Sequence, residues 1–174
     1  MLNKSFSVIV SNKIKTFKKT ISVDSDKSIS IRSFLIGAIS HNISEVKNVL
    51  ESEDVFSTIG CLRKLGVKIK KIKKKHYLVY GKGLGSLYAR NNTLLDCGNS
   101  GTLTRLLVGI LSTTPRIQVK ITGDKSLQKR NISKLINLMS EFGAEKGDGR
   151  ELRIDDQAAI VPRELMDTYF LVLV

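Results

Sequence analysis

The sequence predicts a mixed α/β chain of repeated strand and helix units, and three observations carry that reading. Short apolar runs break at polar turns and resume at helical spacing, once near 20–40 and again near 94–112. Strand-like and helix-like periodicities alternate between these two places. The order of the first half then recurs: helix 28–40, strand 43–50, helix 54–65 and Gly66-Val67 are answered by helix 102–112, strand 117–121, helix 132–142 and Gly143-Ala144. A duplication offset by about seventy residues implies units with strands on a shared face and helices packed together. Two such units leave faces for further neighbours.

In chain order, 6–10 reads as a strand and 13–19 as a basic connection into a second short strand at 20–23. Asp24, Ser25, Asp26, Lys27 and Ser28 offer turn residues and a helix cap, and Ile29, Arg32, Phe34, Leu35, Ile36 and Ile39 set a helix as far as Ser40. Residues 43–50 alternate as a strand; 54–65 place Val55, Ile59, Leu62 and Leu65 on one helical face, closed by Gly66. A basic hairpin follows at 67–72 and 77–80, with Gly81, Gly83 and Gly85 in the loop after it. Alternation sends Lys68 and Lys70 to the face opposite Val67 and Ile69. The run Lys68, Lys70, Lys71, Lys73, Lys74 and Lys75 therefore reads as a solvated edge guarded by charge, with a nucleic-acid stripe as the alternative.

A strand ends at Asp96, a turn bounded by Gly98 and Gly101 follows, and Leu103, Leu106, Leu107 and Ile110 continue as a helix to Ser112. Residues 117–121 read as a strand and 123–126 as a turn, before a helix carried by Ile132, Leu135, Ile136, Leu138 and Met139. Both copies have a glycine late in the first helix, Gly37-Ala38 and Gly109-Ile110. From Gly147 a further strand begins, and the chain ends on apolar residues 169–174, which reads as an end cut short or altered.

Composition is that of a globular protein, 41% hydrophobic and 26% charged. Twenty-nine Lys and Arg against sixteen Asp and Glu give +13, which favours anionic partners without choosing among nucleic acid, membrane surface and small metabolites. Cys61 and Cys97 are too few for a disulfide framework and lack metal-ligand spacing, as expected of a reducing cytosol; both read as packing residues. No signal peptide is evident, and the apolar runs are too short to span a bilayer.

The turn Gly98-Asn99-Ser100-Gly101 can present bare N–H groups at the start of a helix, where free donors and the macrodipole attract anions. Taken with two further segments, 26–32 (Asp-Lys-Ser-Ile-Ser-Ile-Arg) and 123–130 (Gly-Asp-Lys-Ser-Leu-Gln-Lys-Arg), it makes the sequence resemble the 3-phosphoshikimate 1-carboxyvinyltransferases, or 5-enolpyruvylshikimate-3-phosphate synthases. The match runs from about Ile21 to Ala144 and covers the N-terminal part of that family.

The resemblance implies repeated β/α units of the enolpyruvyl transferase type, forming part of an inside-out α/β barrel. By the same analogy 1–20 belongs with the other domain, 21–146 forms two units of the substrate-binding domain, and 147–174 is a truncated or divergent tail. The implied activity is transfer of the enolpyruvyl group of phosphoenolpyruvate to the 5-hydroxyl of shikimate 3-phosphate, with release of phosphate, on the route to chorismate and the aromatic amino acids. A cytoplasmic enzyme, monomeric when full length, is implied, acting on small molecules with no metal or organic cofactor, no nucleic acid and no membrane.

Residue by residue, Lys27 matches the family's lysine for phosphoenolpyruvate and its catalytic cation. Ser28 and Arg32 match positions that hold shikimate 3-phosphate. Gly101, with Asn99 beside it, matches the backbone contact to phosphoenolpyruvate, and Arg130 the arginine that binds it. Arg105 has no substrate atom to assign and reads as structural.

The chain departs from the family pattern at Asp24-Ser25, where Pro-Gly is usual, at Ile31 and at Asn131. The acid and base of the reaction fall in the part of the family that the match does not cover, so this chain is expected to be inactive alone. The rival enzyme is the sister transferase acting on UDP-N-acetylglucosamine, against which Lys27-Ser28 and 96–102 speak. A basic nucleic-acid-binding module is the rival from another class; 6% aromatic residues and no Trp count against it.

Overall fold

The computed structural model describes residues 23–112 and 114–130, together with 135, 137, 139, 145–146 and 152–153. In order these form α1 (Lys27–Ile39), β1 (Ile43–Lys47), α2 (Glu53–Lys64), β2 (Lys68–Lys73), β3 (His76–Tyr80), β4 (Thr93–Asp96), α3 (Gly101–Ser112), β5 (Val119–Thr122), α4 (Lys125–Gln128), β6 (Glu145–Lys146) and β7 (Leu152–Arg153). The expected strand 6–10, most of 20–23 and most of helix 132–142 lie outside the described residues; 135, 137 and 139 are helical.

Three sheets carry the strands. In the first the order is β1-β3-β2, antiparallel throughout, with Val46 opposite Tyr77 and Ile69 opposite Val79. In the second β4 and β5 run parallel, with Leu95 opposite Ile121. In the third β6 and β7 are antiparallel, and β7 lies against β5. The last strand of each unit, β3 or β7, thus meets the strand that precedes its hairpin, β1 or β5. The described residues form a mixed α/β arrangement without a closed barrel.

The helices meet one another beneath the strands, α1 against both α2 and α3. Ile31, Phe34, Leu35, Val55, Leu62, Leu103, Leu107 and Leu111 are buried there, with Val79, Leu95 and Val119 facing them from the sheets. Each such aliphatic side chain contributes about 1.5–3 kcal/mol relative to an exposed one. Ile29 and Ile36, counted with the apolar periodicity of α1, are instead 65% and 60% exposed. That helix is apolar on nearly all sides, so spacing alone did not select its inner face.

Three further expectations are adjusted. Strand 43–50 stops at Lys47, because Asn48 takes φ +55° and turns the chain out of the ladder. The turn at 123–126 becomes the start of α4, capped by Asp124 and too short to show a period. The matching glycines Gly37 and Gly109 are not equivalent. A Cβ on Gly37 would stand 3.2 Å from side-chain atoms of Ser44 and Val79, whereas one on Gly109 would meet nothing within 4 Å. Gly37 therefore lets α1 lie close on β1 and β3, and Gly109 has no such duty.

Strand β2 of the basic hairpin is an edge of its sheet, with Lys68, Lys70, Lys71 and Lys73 exposed along it. Lys68 stands over the Tyr80 ring at 4.8 Å and Lys71 over Tyr77 at 5.6 Å. Glu51 anchors the hairpin from the loop before α2, accepting from Tyr77 Oη at 2.7 Å and from the Lys75 N–H at 3.1 Å, and pairing with Lys71 Nζ at 2.7 Å.

Lys71, then Tyr77 and the Lys75 N–H, lower the Glu51 pKa from 4.5 to about 2. A carboxyl with a depressed folded value stabilises the fold above its unfolded value and loses that contribution as pH falls through the folded one. The thermal midpoint is expected to fall between pH 4.5 and about 2, and to fall less steeply in Glu51→Gln over the same window, as read by circular dichroism.

Candidate functional site

Parallel strands β4 and β5 end side by side, and both lead into helices at the same edge of the sheet. Asp96 Oδ1 accepts from the Gly98 N–H at 2.9 Å, which folds the chain back at once. Gly98 takes φ +57°, a conformation glycine adopts without strain. Ser100 then caps α3, its Oγ accepting from the Leu103 N–H at 3.2 Å. The Gly101 and Thr102 N–H groups, at the open end of α3, have no intrahelical acceptor. They form the donor pair expected of an anion-facing terminus.

The second turn is fastened to the first. Cys97 N–H donates to Thr122 O at 2.9 Å and Asp124 N–H to Gly98 O at 2.8 Å. Asp124 Oδ1 accepts from the Leu127 N–H at 2.8 Å and so starts α4, whose end delivers Arg130. The guanidinium returns across the first turn: a Cβ on Gly101 would stand 2.7 Å from Arg130 Nη1. Gly101 and Arg130, far apart in sequence, are thus in contact.

The remaining expected residues lie on α1. Asp26 is the N-cap, its Oδ1 accepting from the Ile29 N–H at 2.7 Å, so Lys27 and Ser28 open the helix. Ser28 and Arg32 are four apart and share a face; both are half-buried. Arg32 Nε is shielded from solvent and has no hydrogen-bond partner among the described residues. Lys27 Nζ pairs with Asp54 Oδ2 at 2.8 Å, leaving its side chain 49% exposed.

Asn99 is exposed in the turn, and Arg105 is exposed one turn into α3. The structure joins Gly101 to Arg130 and Lys27 to α2; Ser28 and Arg32 share the start of α1 with Lys27.

Two residues escaped the sequence reading. Asp54 resembled any acid in the first turn of a helix, and Ser57 any polar residue on a helix surface. Ser57 Oγ would lie 3.0 Å from a Cβ on Gly98, so α2 also touches the turn before α3.

Behind the turn Cys61 and Cys97 are buried together, and Cys61 Sγ donates to Asp96 O at 3.3 Å. The hydrogen bond with Cys97, and then burial, push the Cys61 thiol well up. The same bond pulls the Cys97 thiol down, and both sulfurs are shut off from solvent. Among the described residues no group of three His, Cys, Asp or Glu could hold a metal ion, and no helix is long and apolar enough to cross a membrane.

A family model described as EPSP synthase (3-phosphoshikimate 1-carboxyvinyltransferase) matches residues 11–162. The chain is 43% identical over 136 residues to the 3-phosphoshikimate 1-carboxyvinyltransferase of Desulforamulus reducens, covering 78% of this chain and 31% of that one. It is 43% identical over 137 residues to the same enzyme of Bacillus cytotoxicus, covering 79% and 31%. Among solved structures, EPSP synthase from Acinetobacter baumannii matches with a TM-score of 0.68 at 34% identity, again over 78% of this chain and 31% of that one. The chain spans less than a third of the length of the curated relatives named here.

The cap that sets the start of α1 is testable without any ligand. Asp26→Ala removes the acceptor of the Ile29 N–H and is expected to cost about 0.5–2 kcal/mol. A lowered urea midpoint with unchanged slope is the expected result.

Proposed function

The chain belongs to the EPSP synthase family, and from that premise we propose that its two turns and the start of α1 bind phosphoenolpyruvate and shikimate 3-phosphate for enolpyruvyl transfer. The Arg130 guanidinium lying against Gly101 at the open end of α3 carries this reading. A guanidinium fork and free helix N–H groups together suit an anion with a planar carboxylate and a phosphate. In the proposed assignment Arg130 and the Gly101 N–H hold phosphoenolpyruvate, with Asn99 at the rim.

Lys27 contributes a compact cation to the same ligand. Ser28 and Arg32 take shikimate 3-phosphate, the hydroxyl donating and the guanidinium spanning two oxygens. The free Arg32 Nε supports that role, because a shielded donor without an acceptor is stabilised when a ligand supplies one.

In the reaction the 5-hydroxyl oxygen adds to C2 of phosphoenolpyruvate, the methylene carbon gains a proton, and phosphate then leaves as a proton is lost from that carbon. Lys27 is proposed as the catalytic cation, stabilising the charge that builds during addition and departure. Proton transfer needs an acid and a base within hydrogen-bond reach, and none is assigned among the described residues. We also place the protein in the cytoplasm as a monomer acting on small anionic metabolites, with neither nucleic acid nor membrane as partner. The cation–π and ion-pair engagement of Lys68, Lys71 and Lys75 supports that exclusion, since it satisfies much of the basic hairpin internally.

Calorimetric titration tests the assignment. Shikimate 3-phosphate and then phosphoenolpyruvate are expected to bind; Arg32→Ala should weaken the first and Arg130→Ala the second, each on the order of tenfold or more. Absence of binding by a chain shown to be folded would sink the proposal. Gly101→Ala offers a finer check, because its Cβ would displace Arg130 Nη1. It is expected to lower affinity for phosphoenolpyruvate while leaving that for shikimate 3-phosphate nearly unchanged.

A further inference from the structure

Asp54 is the one charged residue that is buried among the described residues, 7% exposed. A carboxylate is not removed from water without compensation, and here the compensation is a single ion pair with Lys27. An acid in the first turn of α2 is favoured by the macrodipole, but Glu53 already serves that end from an exposed position. Burial of the second acid toward α1 is a separate fact.

The neighbouring side chains show what α2 does with it. Ser52, at the N-cap, makes no side-chain cap bond, so the hydroxyl that usually fixes a helix start does not fix this one. Ser57 lies three residues beyond Asp54, one turn along the same face. Its Oγ sits against Gly98 in the anion-facing turn. Further along α2, Cys61 reaches Asp96 O and Lys64 Nζ reaches Leu94 O at 2.7 Å, so the C-terminal end of the helix is attached to β4. One turn of α2 thus holds Lys27 with one residue and abuts the turn before α3 with the next.

We propose that Asp54 is a positioning residue: its carboxylate fixes the Lys27 ammonium relative to the Gly98 turn, so that both face one bound phosphate-bearing anion. This rests on assigning Lys27 to phosphoenolpyruvate. The ion pair engages one side of the ammonium and leaves its other N–H bonds toward solvent, where a phosphate oxygen can take them. Charge balance alone would be met by any nearby acid; the fixed geometry needs this one.

The test separates positioning from binding. The whole chain is labelled with limiting N-hydroxysuccinimidyl acetate, and acetylation of each lysine is followed by peptide mass spectrometry. In Asp54→Asn, Lys27 is expected to react about two- to fivefold faster, the range set by one partly exposed ion pair, while exposed Lys82 keeps its rate. Asp54→Glu should restore part of the protection and part of the affinity for phosphoenolpyruvate that the Asn variant loses. An unchanged Lys27 rate in a folded Asn variant overturns the proposal.

If that variant does not fold, the wild-type chain decides, because a positioned Lys27 labels more slowly than Lys82 and equal rates overturn it. Labelling that shifts as expected, with no phosphoenolpyruvate bound by any variant, upholds the positioning by Asp54 and refutes the assignment of Lys27 to that ligand.

Discussion

The parallel pairing of β4 with β5 is the constraint on which the rest of the site depends. Antiparallel strands would put successive turns at opposite ends of a sheet; parallel strands put them at the same end. With Asp96 opposite Thr122, the residues that leave each strand are neighbours, and one further hydrogen bond, from Asp124 N–H to Gly98 O, joins the turns. A charge-bearing arginine that ends one turn can then lie on the helix start that ends the other. No local feature of 98–101 or 123–130 could achieve this alone.

The helices complete what the strands begin. α1 packs on α2 and α3 through Ile31, Phe34 and Leu35, so its first turn has little freedom relative to the turn before α3. Within that packing Gly37 is a point of close approach to the first sheet. The first turns of α1 and α3 are therefore placed by apolar contacts well removed from any charge. The charged groups work on a support that they do not themselves build.

Much of this was legible in the sequence where the signal is local. Asp26, Gly98, Ser100 and Gly101 are residues that turns and caps demand, and their spacing gave the start of α1 and α3 to within a residue. Non-local facts were not legible. Glu51 draws its partners from 71, 75 and 77, so nothing near it in sequence marks it as an anchor. Asp54 has the spacing of an ordinary first-turn acid, and only burial distinguishes it. The matched Gly37 and Gly109 show the limit of the repeat: identity of position in a duplicated pattern does not carry identity of packing. On α1 the apolar excess leaves the inner face unmarked, and Ile29 and Ile36 are exposed although as apolar as their buried neighbours.

Cys61 and Cys97 give the molecule a property unrelated to any ligand. Both sulfurs are buried, one on α2 and one just after β4, so an alkylating reagent in solution reaches them only when the packing around them opens. Their rate of modification is then a clock for that excursion. A pair of buried side chains behind the turn acts as an internal gauge of how often the ground beneath it gives way.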